Sequence, residues 1–431
     1  MSITISTILI LVLLIGLLTT RMPLAFVTGL VALGFAYFNF GLPGVSLLTS
    51  RIYSFVTQYV FIAVPMFVLM AAILDRSGIA RDIYKAMQLS AGRLRGGVAI
   101  QTLFVALILA AMSGIIGGEI VLLGMLALPQ MLDMGYNKRL AIGTVLAGGS
   151  LGTMMPPSIV LIVYGLTASV SIGDLFKAAV IPTFLLVGCY AAYIIFRSYM
   201  DPTAAPIAAK SDHTKEERRA VYRSIIFPII VAGSVLGSIY AGIASVTESA
   251  SVGVAGMIIA TYARGELTMK LIRESVIQTM STCGMIIWIG VGATLLIGVY
   301  NLMGGIQFVK GMILGLDVSP VMIIMVMMLI LVVLGMFLDW VGITLLTMPI
   351  FVPIIQSLGY DPVWFGILFC LNMQVSYLSP PFGPAVFYLK SVAPPDITLS
   401  DMFKSVWPFI LIQVFVLMLL IYYPQIALWL V

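Results

Sequence analysis

GGSLGTMMPPSIVLIVYG, residues 148–165, is the stretch on which the fold of this chain turns. Apolar residues run on both sides of it, which places it inside a membrane. Its centre nevertheless holds glycines, hydroxyls and the pair Pro156-Pro157. A proline in a helix interior costs about 3 kcal/mol, and an unsatisfied backbone group in hydrocarbon costs several more. A membrane segment that breaks its own helix here must recover that loss elsewhere.

The surroundings agree with a membrane setting. Of 431 residues, 61% are hydrophobic and 9% charged, with a mean hydropathy of +1.15. A soluble chain carries about a quarter charged residues, so this is a polytopic membrane protein. Soluble enzymes and nucleic-acid-binding proteins are excluded. The net charge of +5 then informs topology, through the excess of Lys and Arg in cytoplasmic loops. The first apolar run has no basic residue before it and Arg21 after it. A cleaved leader would carry its positive charge first, so a retained helix with Arg21 inside is expected. Cys189, Cys283 and Cys370 sit in separate apolar runs and read as small buried hydrophobes. The single histidine, His213, lies in a polar segment, and neither HExxH nor a Walker A loop is present. These absences disfavour an intramembrane hydrolase and an ATP-driven pump.

The break occurs twice. One constant shift aligns Gly29 with Gly253, Gly118 with Gly342, Pro129 with Pro353, Gly135-Tyr136 with Gly359-Tyr360, and Pro156-Pro157 with Pro380-Pro381. After a short insertion, DLFK at 174–177 meets DMFK at 401–404. The region between about 40 and 110 aligns poorly. The first repeat reads as helices near 3–20, 23–40 and 52–74, then a polar arm from Asp75 to Gly97. An apolar pair at 98–132, the broken segment 139–167 and a helix at 178–196 follow. The second reads as 224–242, 249–263 and 276–299, a pair at 319–356, a broken segment 362–389, and 406–430.

Each pair is short for two spans of about 20 residues plus a turn, and so reads as a re-entrant hairpin. Arg76, Arg81, Lys85, Arg93 and Arg95 precede the first pair, and Lys138 and Arg139 follow it. Both its ends therefore lie inside. The second pair is flanked only by Lys310, Asp317 and Asp361, which suits the outside. The second repeat is thus inverted, and Lys210–Arg223 is the cytoplasmic linker between the halves. The fold class expected is an all-α polytopic membrane protein of two inverted-topology repeats, each with a re-entrant helical hairpin and a broken transmembrane helix. That architecture is a signature of secondary transporters, with the site where the repeats meet.

Breaks of this kind become tolerable if freed carbonyls coordinate a cation and a restarting helix points its N-terminus at an anion. Gly149, Ser150, Gly152, Thr153 and Ser158 supply backbone and hydroxyl oxygens in the first repeat. NMQVSYLSPPFGP, residues 372–384, supplies Asn372, Gln374, Ser376 and Ser379 in the second. Neutral oxygens suit a hard cation, and Na+ is expected by extension. The alternative is a pair of structural kinks satisfied by neighbouring helices. The hairpin tips, MSGIIGGE at 112–119 and FLDWVGIT at 337–344, carry Glu119 and Asp339. An intramembrane carboxylate is by default a functional candidate, here as cation ligand or proton carrier, against a hydrogen-bonded structural acid. Glu248 reads differently, as a charge offsetting the dipole at a helix start.

GTMMPPSIVLIVYGLTASVSIGDLFKAAVIPTFLL, residues 152–186, resembles the signature region of the large membrane (M, DctM-like) subunit of tripartite ATP-independent periplasmic (TRAP) transporters. VTESASVGV, residues 246–254, resembles the TEAA-type segment of the same subunit, with Ser249 and Ser251 where alanines are common. The resemblance covers almost the whole chain. It implies Na+-coupled import of an organic acid anion, C4-dicarboxylate or sialic-acid-like, delivered by a periplasmic substrate-binding (P) protein. It also implies an elevator mechanism in the bacterial inner membrane and a small four-helix Q subunit. No further helices precede residue 1, so Q is expected as a separate chain.

The resemblance places sodium sites where hairpin tips meet broken helices. Here those are Ser113, Gly114, Gly149, Ser150 and Pro156, and Asp339, Gly342, Asn372, Ser379 and Pro380. Substrate contacts are expected from Thr153, Pro157, Ser158, Gln374, Ser376 and Pro381. By the same logic, residues 1–95 form scaffold helices and arm, and 96–197 the transport part of repeat 1. Residues 198–318 form the linker and scaffold helices of repeat 2, and 319–431 its transport part. The arm Arg76–Arg95 reads as an amphipathic brace at the interface or as an ordinary basic loop. The rival functions are a stand-alone ion-coupled anion symporter needing no binding protein, and a passive channel, which uptake above equilibrium would exclude.

Overall fold

The structure is a computed structural model that describes residues 2–90, 94–114, 117–206, 215–315 and 317–431. Arg93, His213, the first part of the Lys210–Arg223 linker and the tip residues Ile115 and Ile116 lie outside the described residues. Among the described residues every regular element is a helix. The first repeat contains α1 (Ile3–Thr19), α2 (Leu24–Val56), α3 (Ala63–Arg76) and α4 (Ile79–Ser90). It continues with the hairpin α5 (Gly97–Ser113) and α6 (Gly118–Asp133), the broken pair α7 (Lys138–Gly149) and α8 (Ile159–Ala168), and α9 (Ile172–Met200). The second contains α10 (Lys215–Tyr240), α11 (Val246–Ala263), α12 (Met269–Leu302) and α13 (Gly305–Leu314). Its hairpin is α14 (Pro320–Gly335) and α15 (Trp340–Ser357), its broken pair α16 (Pro362–Leu378) and α17 (Pro384–Lys390), and α18 (Leu399–Tyr422) and α19 (Gln425–Leu428) close the chain.

Six of these helices are long and apolar enough to cross a membrane, or seven if the bent pair α3–α4 is one span. Three of the four hairpin arms are 16 or 17 residues long. At 1.5 Å per residue that is about 25 Å, short of a hydrocarbon core about 30 Å thick.

Local chemistry sets the helix starts at equivalent places in both repeats. Asn137 caps α7 by accepting from Arg139 N, and its counterpart Asp361 caps α16 by accepting from Val363 N. Ser171 caps α9 and its counterpart Thr398 caps α18. A side-chain oxygen at this position satisfies an otherwise orphaned N–H and contributes about 1 kcal/mol. Ser245 and Glu248 form a reciprocal capping box on α11, the dipole role read for Glu248.

Four boundaries differ from the sequence reading. α2 does not end near residue 40 but runs on to Val56 after a break at Gly41 (φ 66°, ψ −157°), a conformation open to glycine because it lacks Cβ. The polar arm folds as α4, bent 62° from α3. α13 is its counterpart in the second repeat and carries one basic residue, Lys310, so charge gave no sign of it. The linker is shorter than expected, because α10 already begins at Lys215.

Two packed groups result. In one, α12 lies along α2, α3 lies against α11 and α12, and α10 against α11 and α4. Gly292 permits the first contact, since a Cβ there would lie 2.5 Å from the Ala25 carbonyl oxygen. The loop after α11 ties down the arm: Arg264 donates to Asp82 (2.6 Å) and Glu266 (2.9 Å), and Gly78 N donates to Glu266 (3.0 Å). In the other group each broken helix packs on its own hairpin, α7 on α5 and α6, and α16 on α14 and α15. The repeats also interlock, α8 with α15 and α17 with α6. Trp364, fully buried, donates from Nε1 to the Leu420 carbonyl at 2.8 Å, and Tyr164 donates to the Pro362 carbonyl at 2.6 Å.

Candidate functional site

The two breaks are not copies. α16 continues to Leu378, directly before Ser379-Pro380-Pro381, whereas α7 stops at Gly149 and passes through a 3-10 turn at Leu151–Thr153. GGSLGT, with three glycines, stands in the first repeat where NMQVSY stands in the second. Glycine is about 1 kcal/mol poorer than alanine in a helix, so the first break opens earlier.

The missing Cβ atoms also let the first hairpin approach. A Cβ on Gly149 would lie 3.0 Å from Ile120 Cα and 3.1 Å from Ile120 N in the first turn of α6. One on Gly152 would lie 2.8 Å from a Glu119 carboxylate oxygen. Gly114, at φ 57°, sits against the Pro157 carbonyl, and its own carbonyl accepts from Ile159 N at 3.4 Å, the first residue of α8. The Ser113 hydroxyl donates to Glu119 Oε1, while Glu119 Oε2 is buried without a hydrogen-bond partner. Ser113, Gly114, Gly149, Pro157 and Glu119 therefore converge where the hairpin tip meets the break.

At the second break Asn372 donates from Nδ2 to the Met328 carbonyl of α14 (3.0 Å), and its Oδ1 is buried and unpartnered. Ser376 lies against Gly335 at the end of α14 and donates to the Met373 carbonyl (3.0 Å). Asp339 caps α15 by accepting from Val341 N (3.1 Å), and its other oxygen accepts from Tyr377 Oη (2.9 Å). The Ser379 hydroxyl donates to the Val375 carbonyl at 2.6 Å. Both Pro156-Pro157 and Pro380-Pro381 are cis. Each repeat thus sets a hairpin tip against a broken helix; the leftover acceptor stands at the first tip itself, on Glu119, whereas in the second repeat it stands on Asn372, seven residues before Ser379 and beside the middle of α14, and the tip acid Asp339 has a partner on each oxygen.

The family is decided by comparison with known proteins. The family model described as "Tripartite ATP-independent periplasmic transporter, DctM component" matches residues 11–426. The chain belongs to this family. It is similar to the C4-dicarboxylate TRAP transporter large permease protein DctM of Rhodobacter capsulatus, 26% identical over 431 residues and covering 96% of each chain. It is similar also to the sialic acid TRAP transporter large permease protein SiaM of Vibrio cholerae, 27% identical, again covering 96% of each. The isethionate TRAP transporter permease protein DctMQ of Oleidesulfovibrio alaskensis is 27% identical over 416 residues, 96% of this chain and 64% of that protein. Of solved structures, the YdaH transporter of Alcanivorax borkumensis shares the fold, with a TM-score of 0.65, 16% identity and coverage of 90% and 88%.

In this DctM-family permease, a multi-pass protein of the inner membrane, other sequence candidates fall elsewhere around the breaks. Ser150, Thr153 and Ser158 are fully buried, and their hydroxyls donate to the Ala147 (2.8 Å), Ser150 (3.1 Å) and Thr153 (2.6 Å) carbonyls. Gln374 faces α18, where Gln413 donates to it at 3.5 Å. Gly342 faces the first packed group: a Cβ there would meet Leu24 of α2 and Ile289 of α12. Cys370 is buried, but Cys189 and Cys283 are only half-buried. Sequence reasoning missed Tyr377, and also Tyr388 of α17, whose ring a Cβ on Gly117 would meet at 3.3 Å. Tyr388 lies among apolar residues, where a tyrosine reads as packing, and Tyr377 stands between Ser376 and Leu378 in the stretch whose serines, asparagine and glutamine drew the reading. No trio of His, Cys, Asp or Glu gathers among the described residues, so the oxygen donors at the breaks are carbonyls, hydroxyls, an amide and single carboxylates.

Proposed function

We propose that this chain is the permease of a Na+-coupled TRAP importer for an organic acid anion, C4-dicarboxylate or sialic-acid-like, supplied by a periplasmic binding protein. The observation that carries the reading is the doubled junction of hairpin tip and broken helix, with a buried acceptor oxygen lacking a donor at the first tip, Glu119 Oε2, and another on the second broken helix, Asn372 Oδ1. A cation satisfies such oxygens, and neutral oxygen donors with at most one carboxylate suit Na+. The names of the relatives, C4-dicarboxylate and sialic acid permeases, support the substrate class.

The group around α2, α3, α11 and α12 (residues 1–95 and 198–318) acts as scaffold, and the hairpins and broken helices (96–197 and 319–431) move against it as an elevator. A small Q subunit is its partner in this reading, as a separate chain. The test is uptake into proteoliposomes containing this chain, a candidate small subunit and loaded binding protein, with and without an inward Na+ gradient. Accumulation that needs both Na+ and binding protein supports the reading. Accumulation without binding protein makes the protein a stand-alone symporter. Uptake indifferent to Na+ under a maintained pH gradient sinks the sodium sites.

A further inference from the structure

Between the two packed groups lies an open cavity of about 250 Å³ that the junctions do not use, and Arg51, Ser54 and Gln58 in its wall are exposed. Arg51, Ser54 and Gln58 line it from α2 and the turn after it, Thr167 and Ser169 from the end of α8, and Asn301 from the end of α12. Arg51 is the only charged side chain in the lining among the described residues, and no carboxylate among them forms an ion pair with it. Its stem lies against Gly298 of α12, where a Cβ would stand in ordinary contact, 3.7 Å from Arg51 Cγ and Nε. Ser169 is held at φ 56°, one of two non-glycine residues with positive φ among the described residues. That conformation is the left-handed cap that ends α8, its N–H donating to the Gly165 carbonyl, and it turns Ser169 into the cavity wall.

Charge places the cavity in the outer half of the membrane. α3 runs from it toward the basic arm, α12 reaches it from Lys270 and Arg273, and α8 leads to it from the side of Lys138 and Arg139. All three basic groups mark the inside. An arginine without a carboxylate partner at the opposite end departs from that pattern. From Ser158 to Thr167 along α8 is about 14 Å at 1.5 Å per residue, so the cavity lies outward of the first break and on the way to it.

We propose that this cavity is an oxyanion subsite, in which the Arg51 guanidinium takes the acid group of the solute by paired hydrogen bonds and the surrounding hydroxyls and amides take the remainder. It deepens the reading of the chain as an organic-anion importer and rests on it for the identity of the solute. It supplies the cationic recognition that neither break contains. A lipid phosphodiester in the outer leaflet has the same chemistry, and the experiment separates the two.

Ser54, one turn from Arg51 on the same helix face, is replaced by cysteine in a chain with Cys189, Cys283 and Cys370 changed to alanine. Labelling rates with an anionic and a cationic methanethiosulfonate are compared with Arg51 intact and as Arg51→Gln, in maltoside micelles free of added lipid. Opposite shifts of about threefold for unit charges some 6 Å apart in a watery cavity make the expected change in the rate ratio about tenfold. Arg51→Lys keeps the ratio and serves as the control for a misfolded Arg51→Gln. Protection of Ser54→Cys by succinate, isethionate or N-acetylneuraminate, lost in Arg51→Gln, supports the solute subsite. Protection only after phosphatidylglycerol is added assigns the arginine to lipid and overturns it. So does a rate ratio indifferent to Arg51. None of these readouts requires transport, so they fail or succeed independently of Na+-coupled uptake.

Discussion

Gly149→Ala tests whether the first break exists to let the hairpin approach. The new Cβ would stand 3.0 Å from Ile120 Cα and 3.1 Å from Ile120 N, against about 3.5–4.0 Å for relaxed carbon contacts. The first turn of α6 must retreat by about 0.5–1 Å, and it carries Glu119 with it. Overpacking of this kind costs about 1–3 kcal/mol. The same substitution gains up to about 1 kcal/mol in helix propensity, the interior value, Gly149 being the last residue of α7, so the clash has to be isolated by a control. Gly188→Ala provides one, because Gly188 lies within α9 with nothing within 4 Å of the place its Cβ would take. Equilibrium denaturation in mixed micelles should place Gly188→Ala about 1 kcal/mol above the parent, and Gly149→Ala about 1–3 kcal/mol below Gly188→Ala. Uptake by Gly149→Ala should need more Na+ for half-saturation. Equal stability of the two variants, with unchanged Na+ dependence, would refute the close approach of α6 to the break.

Tyr377→Phe removes the 2.9 Å bond to Asp339 and should lower stability by about 1–3 kcal/mol; an unchanged denaturation midpoint would leave the bond without weight. If Asp339 also holds an ion, the Na+ half-saturation of uptake rises as well. Arg264→Ala unties the arm from the loop after α11 and should cost about 1 kcal/mol, since the network is partly exposed. Hydrogen bonding from Arg264 holds the Glu266 carboxyl below its ordinary range, so that contribution is complete above the ordinary value of about 4.3 and fades as pH falls through the lowered one. A pH series of midpoints should therefore show a flatter acid limb for Arg264→Ala than for the parent. Mass spectrometry after maleimide treatment should find Cys189 and Cys283 labelled in the folded protein and Cys370 only after denaturation; early labelling of Cys370 would contradict the packing of α16.

The composition by itself determined a membrane protein, and the duplicated Pro-Pro breaks determined the repeat. Helix starts were equally legible, because a cap is chemistry within three residues: Asn137 and Asp361, or Ser171 and Thr398, act on N–H groups next door. The convergence of Ser113 and Gly114 with Gly149 was expected from the family resemblance, which sets hairpin tips against broken helices. What only the tertiary structure decided is which way each side chain faces. Lipid tails and a protein interior are both apolar, so no periodicity says that Gln374 turns to Gln413, that Gly342 turns to Leu24 and Ile289, or that Tyr377 reaches Asp339. Arg51 was hidden for a related reason. It lies in the stretch where the repeats align poorly, on the continuation of α2 past Gly41, and only the packing of α2 on α12, with the end of α8 across the gap, turns that lone cation into the wall of a cavity.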